Sequence, residues 1–335
     1  MKSIRTAFWL AAALAAGVTS LPASAQQTFT MKMSTPTIND ATHEWMKQFK
    51  AGVESRANGR MKVEIYPANQ LGAIPRTVEG VALGTIELTF VSAGYFAPYD
   101  PRFEVLEMPG LFDNLAQANK VYLDPEVRGR IANYGKDKGI EPLLCVANGP
   151  MAVASNRPLK KVEDFNGMKI RTPGTTPLQV NPLKKLGASP VALPIGEALP
   201  AMQNKTIDAV AAAYTVFIGF KYFDVTKNVT VLPKTYLMAC GVTSKKFLRT
   251  IGPDLEKIVR EEALKAQNSF AAVSQEEVDV GRKTWEKNGG QVHEFGADDA
   301  KRYLDTVSEV AGGLLNTPAL KEDAAAFVEA SKRAK

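Results

Sequence analysis

Four side chains of this sequence belong to the types most often used as nucleophile, base or metal ligand: His43, His293, Cys145 and Cys240. Two histidines and two cysteines in 335 residues exclude a metal centre built mainly from imidazole and thiolate. The histidines are far apart in sequence. No His-Glu-x-x-His pattern puts two of them on one helix face, so zinc-assisted hydrolysis has no support. Neither a Gly-x-Ser-x-Gly elbow, a Walker loop nor a Gly-x-Gly-x-x-Gly turn occurs. His43 falls in the first turn of a helix, where packing or capping is its expected work. Cys145 and Cys240 sit in apolar stretches, Leu143-Leu144-Cys145-Val146 and Met238-Ala239-Cys240. One disulfide is open to them in an oxidising compartment, but two buried free thiols are the favoured expectation. The chain is expected to bind rather than to convert: no enzyme, no cofactor and no metal.

The N-terminus says where this happens. Lys2 and Arg5 precede an apolar run from Phe8 to Val18, and Ala23-Ser24-Ala25 is a small-x-small cleavage site. Residues 1–25 read as a signal peptide cleaved after Ala25, which makes the mature chain periplasmic. The run is shorter than the ~20 residues a membrane span needs. Loss of Lys2 and Arg5 lowers the formal net charge from +6 to +4. The remaining basic residues are dispersed, so no nucleic-acid surface is expected. Apolar residues at 45%, charged residues at 23% and a mean hydropathy of −0.13 describe a water-soluble domain structure rather than a membrane bundle.

The elements follow from periodicity. Phe29, Met31 and Met33 alternate as a strand. Asp40 caps a helix with Trp45, Met46, Phe49 and Val53 on one face, stopped at Asn58-Gly59. A second strand holds Met61, Val63 and Ile65. A helix runs from Ile74 to Leu83, and a third strand from Ile86 to Val91. This order implies a mainly parallel α/β sheet, with ligands beyond the strand ends after Met33 and Val91. A second α/β unit reads as strand Met168 to Arg171, helix Pro177 to Leu186, strand Ser189 to Leu193, helix Ile195 to Asn204 and strand Ile207 to Ala213. Pro253 to about Asn288 is helical nearly without a break, long enough to cross between domains, and further helices occupy Ala297 to Lys335.

Asp164-Phe165-Asn166-Gly167-Met168-Lys169-Ile170-Arg171-Thr172-Pro173-Gly174 resembles the signature of TRAP-transporter solute-binding proteins of the DctP type. Tyr66-Pro67-Ala68-Asn69-Gln70-Leu71-Gly72, the run Leu186 to Val191, and the helix with Glu197, Ala201, Met202 and Gln203 that leads to Asp208 match the same family in order and spacing. The resemblance implies an α/β, two-lobed periplasmic-binding-protein fold with crossing segments and a long interdomain helix. By it, lobe I is 26–148 with 237–276, and lobe II is 149–236 with 277–335. It implies capture of a small organic anion in the cleft and delivery to the membrane subunits of a TRAP permease, by a chain expected to act as a monomer. A binding protein that feeds a membrane sensor, and an exported hydrolase, are the alternatives.

Arg171 matches the family's carboxylate-binding arginine, and its guanidinium fork at a strand end suits that task. Arg157, in Ser155-Asn156-Arg157-Pro158, matches a family motif and is read as structural. Met151 aligns with a second arginine of sialic-acid-binding members, Ala212 with their asparagine, and Ser92 and Tyr95 with a glutamate and an arginine that contact the sugar acid. Asp208 to Ala213 replaces a common Asp-Gly-Gln-Glu-Asn-Pro run. A polar ligand group buried there without partners would cost on the order of 1–3 kcal/mol. The expected ligand is thus a monocarboxylate with an apolar or aromatic body. Tyr95, Met151, Tyr214 and Phe217 are candidate walls. Ser34 is a candidate hydroxyl contact, and Trp45 an outside candidate.

Overall fold

The computed structural model describes residues 27–335; the expected signal peptide and its cleavage site lie outside them. Alternation gives strand β1 (Phe29–Ser34), with Met31 and Met33 wholly buried. The Asp40 carboxylate accepts from the His43 amide at 3.0 Å and opens helix α1 (Ala41–Arg56), whose buried face is the expected one. Strand β2 (Met61–Tyr66) and helix α2 (Ile74–Leu83) follow. The helix ends at Gly84, where a φ of 78° is left-handed and free of Cβ penalty. Strand β3 (Leu88–Ser92) starts two residues later than its apolar run. β1 pairs in parallel with both β2 and β3.

Helices α3 (Leu115–Leu123) and α4 (Pro125–Ile131) lead into β4 (Ile140–Ser155). The second unit contains β5 (Lys169–Thr172), α5 (Pro177–Lys185), β6 (Ser189–Ala192), α6 (Ile195–Gln203) and β7 (Ala209–Ala213). It closes with the short helix α7 (Tyr214–Gly219). There β5 pairs in parallel with β6 and β7. The expectation of parallel pairing holds within each unit. The join between them is antiparallel: β4 runs against β8 (Asn228–Ser244). One end of this pair receives β3 on β8, and the other receives β7 on β4. Their register breaks between Ala147 and Gly149 and again between Pro150 and Ala152, where the chain passes from one half to the other. The whole is one sheet in the order β2-β1-β3-β8-β4-β7-β5-β6, with β9 (Gln291–His293) on β8.

Cys145 and Cys240 stand opposite each other on β4 and β8 with Cα atoms 4.1 Å apart, and they are joined as a disulfide. This corrects the expectation of free thiols. Two apolar stretches on neighbouring antiparallel strands put their cysteines in register, which residue spacing 95 apart in sequence does not reveal.

Helix α8 (Lys245–Lys287) breaks at Gly252, where φ is 78°, and restarts at Pro253. From Pro253 it is on the order of 50 Å long at 1.5 Å per residue. Leu255, Val259 and Phe270 join the core around α1, while Trp285 packs with α6 and α7 in the other half. One rigid element therefore spans both lobes. Helix α9 (Ala297–Leu314) packs Tyr303 and Val307 beside α5. Helix α10 (Pro318–Arg333) instead returns to the first lobe. Phe327 and Ala330 enter its core, and Asp323 accepts from Tyr134 at 2.7 Å and Arg130 at 3.0 Å. The expected 277–335 segment is thus divided between the lobes.

Candidate functional site

The segment before β5 is held by local polar chemistry. The Asp164 carboxylate accepts from the amides of Lys160 and Lys161 at 2.8 and 3.1 Å. Gly167 takes a φ of 74°, and its amide donates to the Gly187 carbonyl at 2.9 Å. β5 then carries Arg171 inward. After it the Thr172 hydroxyl donates to the Gly174 carbonyl at 2.8 Å, which turns the chain toward α5. Arg157 donates to the Asp164 carbonyl at 2.9 Å and so braces this segment, the structural role read for it.

Arg171 is 2% exposed. Its Nε donates to the Leu193 carbonyl at 2.9 Å and its Nη1 to the Ala211 carbonyl at 3.2 Å. Among the described residues no carboxylate pairs with it and Nη2 has no partner. Burial lowers its pKa, against which the nearby Tyr95 and Tyr222 phenols act weakly. A guanidinium removed from water without a counter-ion is costly unless an anion completes it. Burial pushes Tyr222 up to about 12 despite the adjacent guanidinium, and its hydroxyl has no partner.

Two cavities flank this arginine. A small one of about 90 Å³ is walled largely by apolar groups, including Met151, Leu178, Leu183, Leu232 and Tyr236. A larger one of about 460 Å³ lies beside Tyr95, Tyr99 and Pro194. The two acceptors of Arg171 border one each, Ala211 the small cavity and Leu193 the large. Arg171 itself lines neither and is linked to them through these two carbonyls.

The remaining expected contacts distribute as follows. Met151 and Tyr95 line one cavity each. The Ser92 hydroxyl donates to Glu107 at 2.6 Å. Ala212 faces the core beside Trp285, and it is its neighbour Ala211 that borders a cavity. Tyr214 and Phe217 are buried in that same core. Phe217 packs edge-on to Tyr222 at 5.1 Å and so supports a ring near Arg171. Ser34 is buried at the end of β1, in register with Tyr66 and Thr89. Trp45 stacks on Phe49 at 5.0 Å within the first-lobe core.

Sequence reasoning missed Glu107, Gln179 and Tyr222. Glu107 is half-buried at the edge of the smaller cavity, and its carboxyl pKa is raised by desolvation. A lone glutamate in the apolar run Val105-Leu106-Glu107-Met108 was the available signal. Gln179 and Tyr222 carried none. Neither histidine joins the site. His43 Nδ1 accepts from the Asn39 amide at 3.1 Å, and His293 meets Asn228 at 3.0 Å. The arrangement offers a buried cation and a shaped apolar space.

The family model of bacterial extracellular solute-binding proteins, family 7 (DctP), matches residues 33–312. The chain belongs to this family. It is similar to the 2,3-diketo-L-gulonate-binding periplasmic protein YiaO of Escherichia coli, at 28% identity over 248 residues, 73% of this chain and 75% of that one. Among solved structures it superimposes on a TRAP periplasmic solute-binding protein from Xanthobacter autotrophicus with bound β-D-galacturonate. The TM-score is 0.84 at 21% identity, covering 89% of this chain and 99% of that one. A TRAP solute-binding protein from Desulfovibrio salexigens with bound orotic acid gives a TM-score of 0.86 at 20% identity, with 92% and 100% covered. The two-lobed α/β fold is that of TRAP solute-binding proteins, and the family is a substrate-binding component of transport. No helix among the described residues is long and apolar enough to cross a membrane.

Proposed function

We propose that this chain, as a TRAP solute-binding protein, captures an organic monocarboxylate with an apolar or aromatic body and hands it to the permease subunits in the membrane. The observation that carries this reading is Arg171: a buried guanidinium with two carbonyl acceptors and, among the described residues, no carboxylate partner and an unengaged Nη2. A ligand carboxylate placed there gains charge-assisted hydrogen bonds in a site shielded from water. The apolar walls of the cavity beside Met151 take the rest of the ligand. Orotic acid, a heteroaromatic monocarboxylate, is bound by one structural neighbour.

The lobes in this reading meet near 148/149 and 236/237, where the β4–β8 register breaks. Closure about that join presents a form the permease recognises. The mature chain starts at Gln26 and acts in the periplasm. A second reading, a sugar acid, is favoured by the galacturonate bound to another neighbour; its carboxylate would use the same arginine.

A thermal-shift panel tests the proposal. It pairs aromatic and branched aliphatic monoacids with their amides, and adds C4-dicarboxylates and sugar acids. Stabilisation by apolar monoacids but not by their amides is expected. Stabilisation confined to sugar acids or dicarboxylates would overturn the apolar-body reading and leave the family standing.

A further inference from the structure

Gln179, near the start of α5, reaches from the second lobe into the first. Its Nε2 donates to Glu107 Oε2 at 3.0 Å and lies 3.5 Å from the Ser92 hydroxyl. Glu107 Oε1 accepts from Ser92 Oγ at 2.6 Å and from the Gly94 amide at 3.1 Å. The glutamine thus adds a donor to a half-buried carboxyl group that borders the smaller cavity. Its path is cut through two glycines. A Cβ on Gly94 would stand 2.7 Å from Nε2, and one on Gly174 would stand 2.7 Å from Oε1. A Cβ at either position would push the Gln179 amide aside, so the two glycines leave room for it where it stands. Gln179 also borders both cavities, and with Pro173 it forms the boundary between them.

We propose that Gln179 is at once the latch of the closed form and the end wall of the ligand chamber. Bonded to Glu107, it separates the apolar chamber beside Met151 from the larger one beside Tyr95. The chamber beside Met151 is the smaller of the two, so an intact wall limits the length of the ligand body. The size limit rests on the reading that the carboxylate binds at Arg171; the latch does not. An amide suits both tasks because it donates to Glu107 without bringing a second buried charge. Leucine at this position would keep most of the wall and lose the donor. Alanine would lose both and join the chambers.

The test compares the mature wild-type chain with Q179A, Q179L and R171M. Straight-chain monoacids from propionate to decanoate, with matching ω-phenyl acids, are titrated calorimetrically. Hydrogen exchange at residues 92–107 is followed without ligand. The wild type is expected to show a length cut-off, and Q179A to move it to longer acids. Q179L is expected to keep the cut-off while every acid weakens about tenfold, the loss of one hydrogen bond to a charged or buried group. Without ligand, the Gly94 amide is expected to exchange faster in both Gln179 variants.

An unmoved cut-off in Q179A overturns the wall, and unchanged Gly94 exchange overturns the latch. Wild-type affinity in R171M would sink the carboxylate anchor, while a moved cut-off in Q179A would still uphold the wall. If the wild type takes sugar acids instead, a uronic acid and its disaccharide give the same comparison. A wild type that binds neither series overturns the wall, and the exchange result alone then decides the latch.

Discussion

Replacing Arg171 by methionine separates what the arginine does for binding from what it does for folding. Truncating one partner of a buried, hydrogen-bonded charge pair costs about 2–5 kcal/mol, a rise of roughly 30- to 5,000-fold in Kd. At a ligand concentration about 100 times the wild-type Kd, binding adds ~2.7 kcal/mol to stability. For a mature chain of some 310 residues the unfolding entropy is about 0.65 kcal/mol per degree, so the wild-type Tm rises by about 4 °C. The same concentration is then at most about three times the Kd of the variant, and its Tm rises by ~1 °C or less. The ligand-free protein behaves differently. Arg171 is 2% exposed and has no carboxylate partner among the described residues. Methionine removes a desolvated charge, at the expense of donors to the Leu193 and Ala211 carbonyls. These effects oppose each other, so the ligand-free Tm should stay within a few degrees of wild type. Differential scanning fluorimetry with and without ligand reads both quantities. Arg171→Lys, which keeps the charge but not the fork, should recover only part of the shift. A full wild-type shift in the methionine variant would refute the assignment of the carboxylate to this guanidinium.

Other consequences are open to direct measurement. The Cys145–Cys240 disulfide closes a loop of 95 residues; in the chain-entropy account its loss through Cys145→Ala with Cys240→Ala costs about 4.7 kcal/mol, to be read by chemical denaturation. The Tyr214 hydroxyl is buried without a partner in the core. Tyr214→Phe should therefore raise stability, by about 1 kcal/mol, and leave ligand affinity unchanged; a loss of affinity would return Tyr214 to the site. Glu277 is raised to about 7, first by burial and then by Asp40, Glu276 and Glu44, while its bond from the Ala41 amide opposes the rise. A carboxyl group raised in the folded state favours folding below its unfolded pKa, near 4.5, and that contribution is lost as pH climbs to about 7. Denaturation midpoints should fall across that window, and Glu277→Gln should flatten the decline.

Periodicity in the sequence located those elements whose two faces differ. β1 and α1 each bury one side, so alternation and a helical stripe mark them within a residue or two. Asp40 and Gly84 mark their boundaries because a cap and a left-handed turn have chemistry of their own. β4 and β8 are different. They are covered for most of their length on both faces, so their residues are apolar without alternating. Their pairing joins positions 95 apart, and the disulfide follows from that pairing alone. The return of α10 to the first lobe is equally invisible. Its buried stripe is satisfied by any apolar partner, and only the Asp323 contacts with Tyr134 and Arg130 show which one it has.

The site divides along the same line. Arg171 was legible because a segment with its own turn chemistry, Asp164 to Gly174, delivers it to a strand end. Met151 and Tyr95 followed from their alignment with polar positions of relatives, and both border a cavity. Successive strand side chains point to opposite faces, and on β7 Ala211 borders the smaller cavity while its neighbour Ala212 joins the core with Trp285. Glu107 and Gln179 could not be paired from the sequence, since each acquires meaning only when the lobes come together. The half-buried Glu107 takes a donor from Gln179, whose amide stands between Gly94 and Gly174. Selectivity built from contacts across a closing cleft is therefore less visible to sequence comparison than the anchor it surrounds.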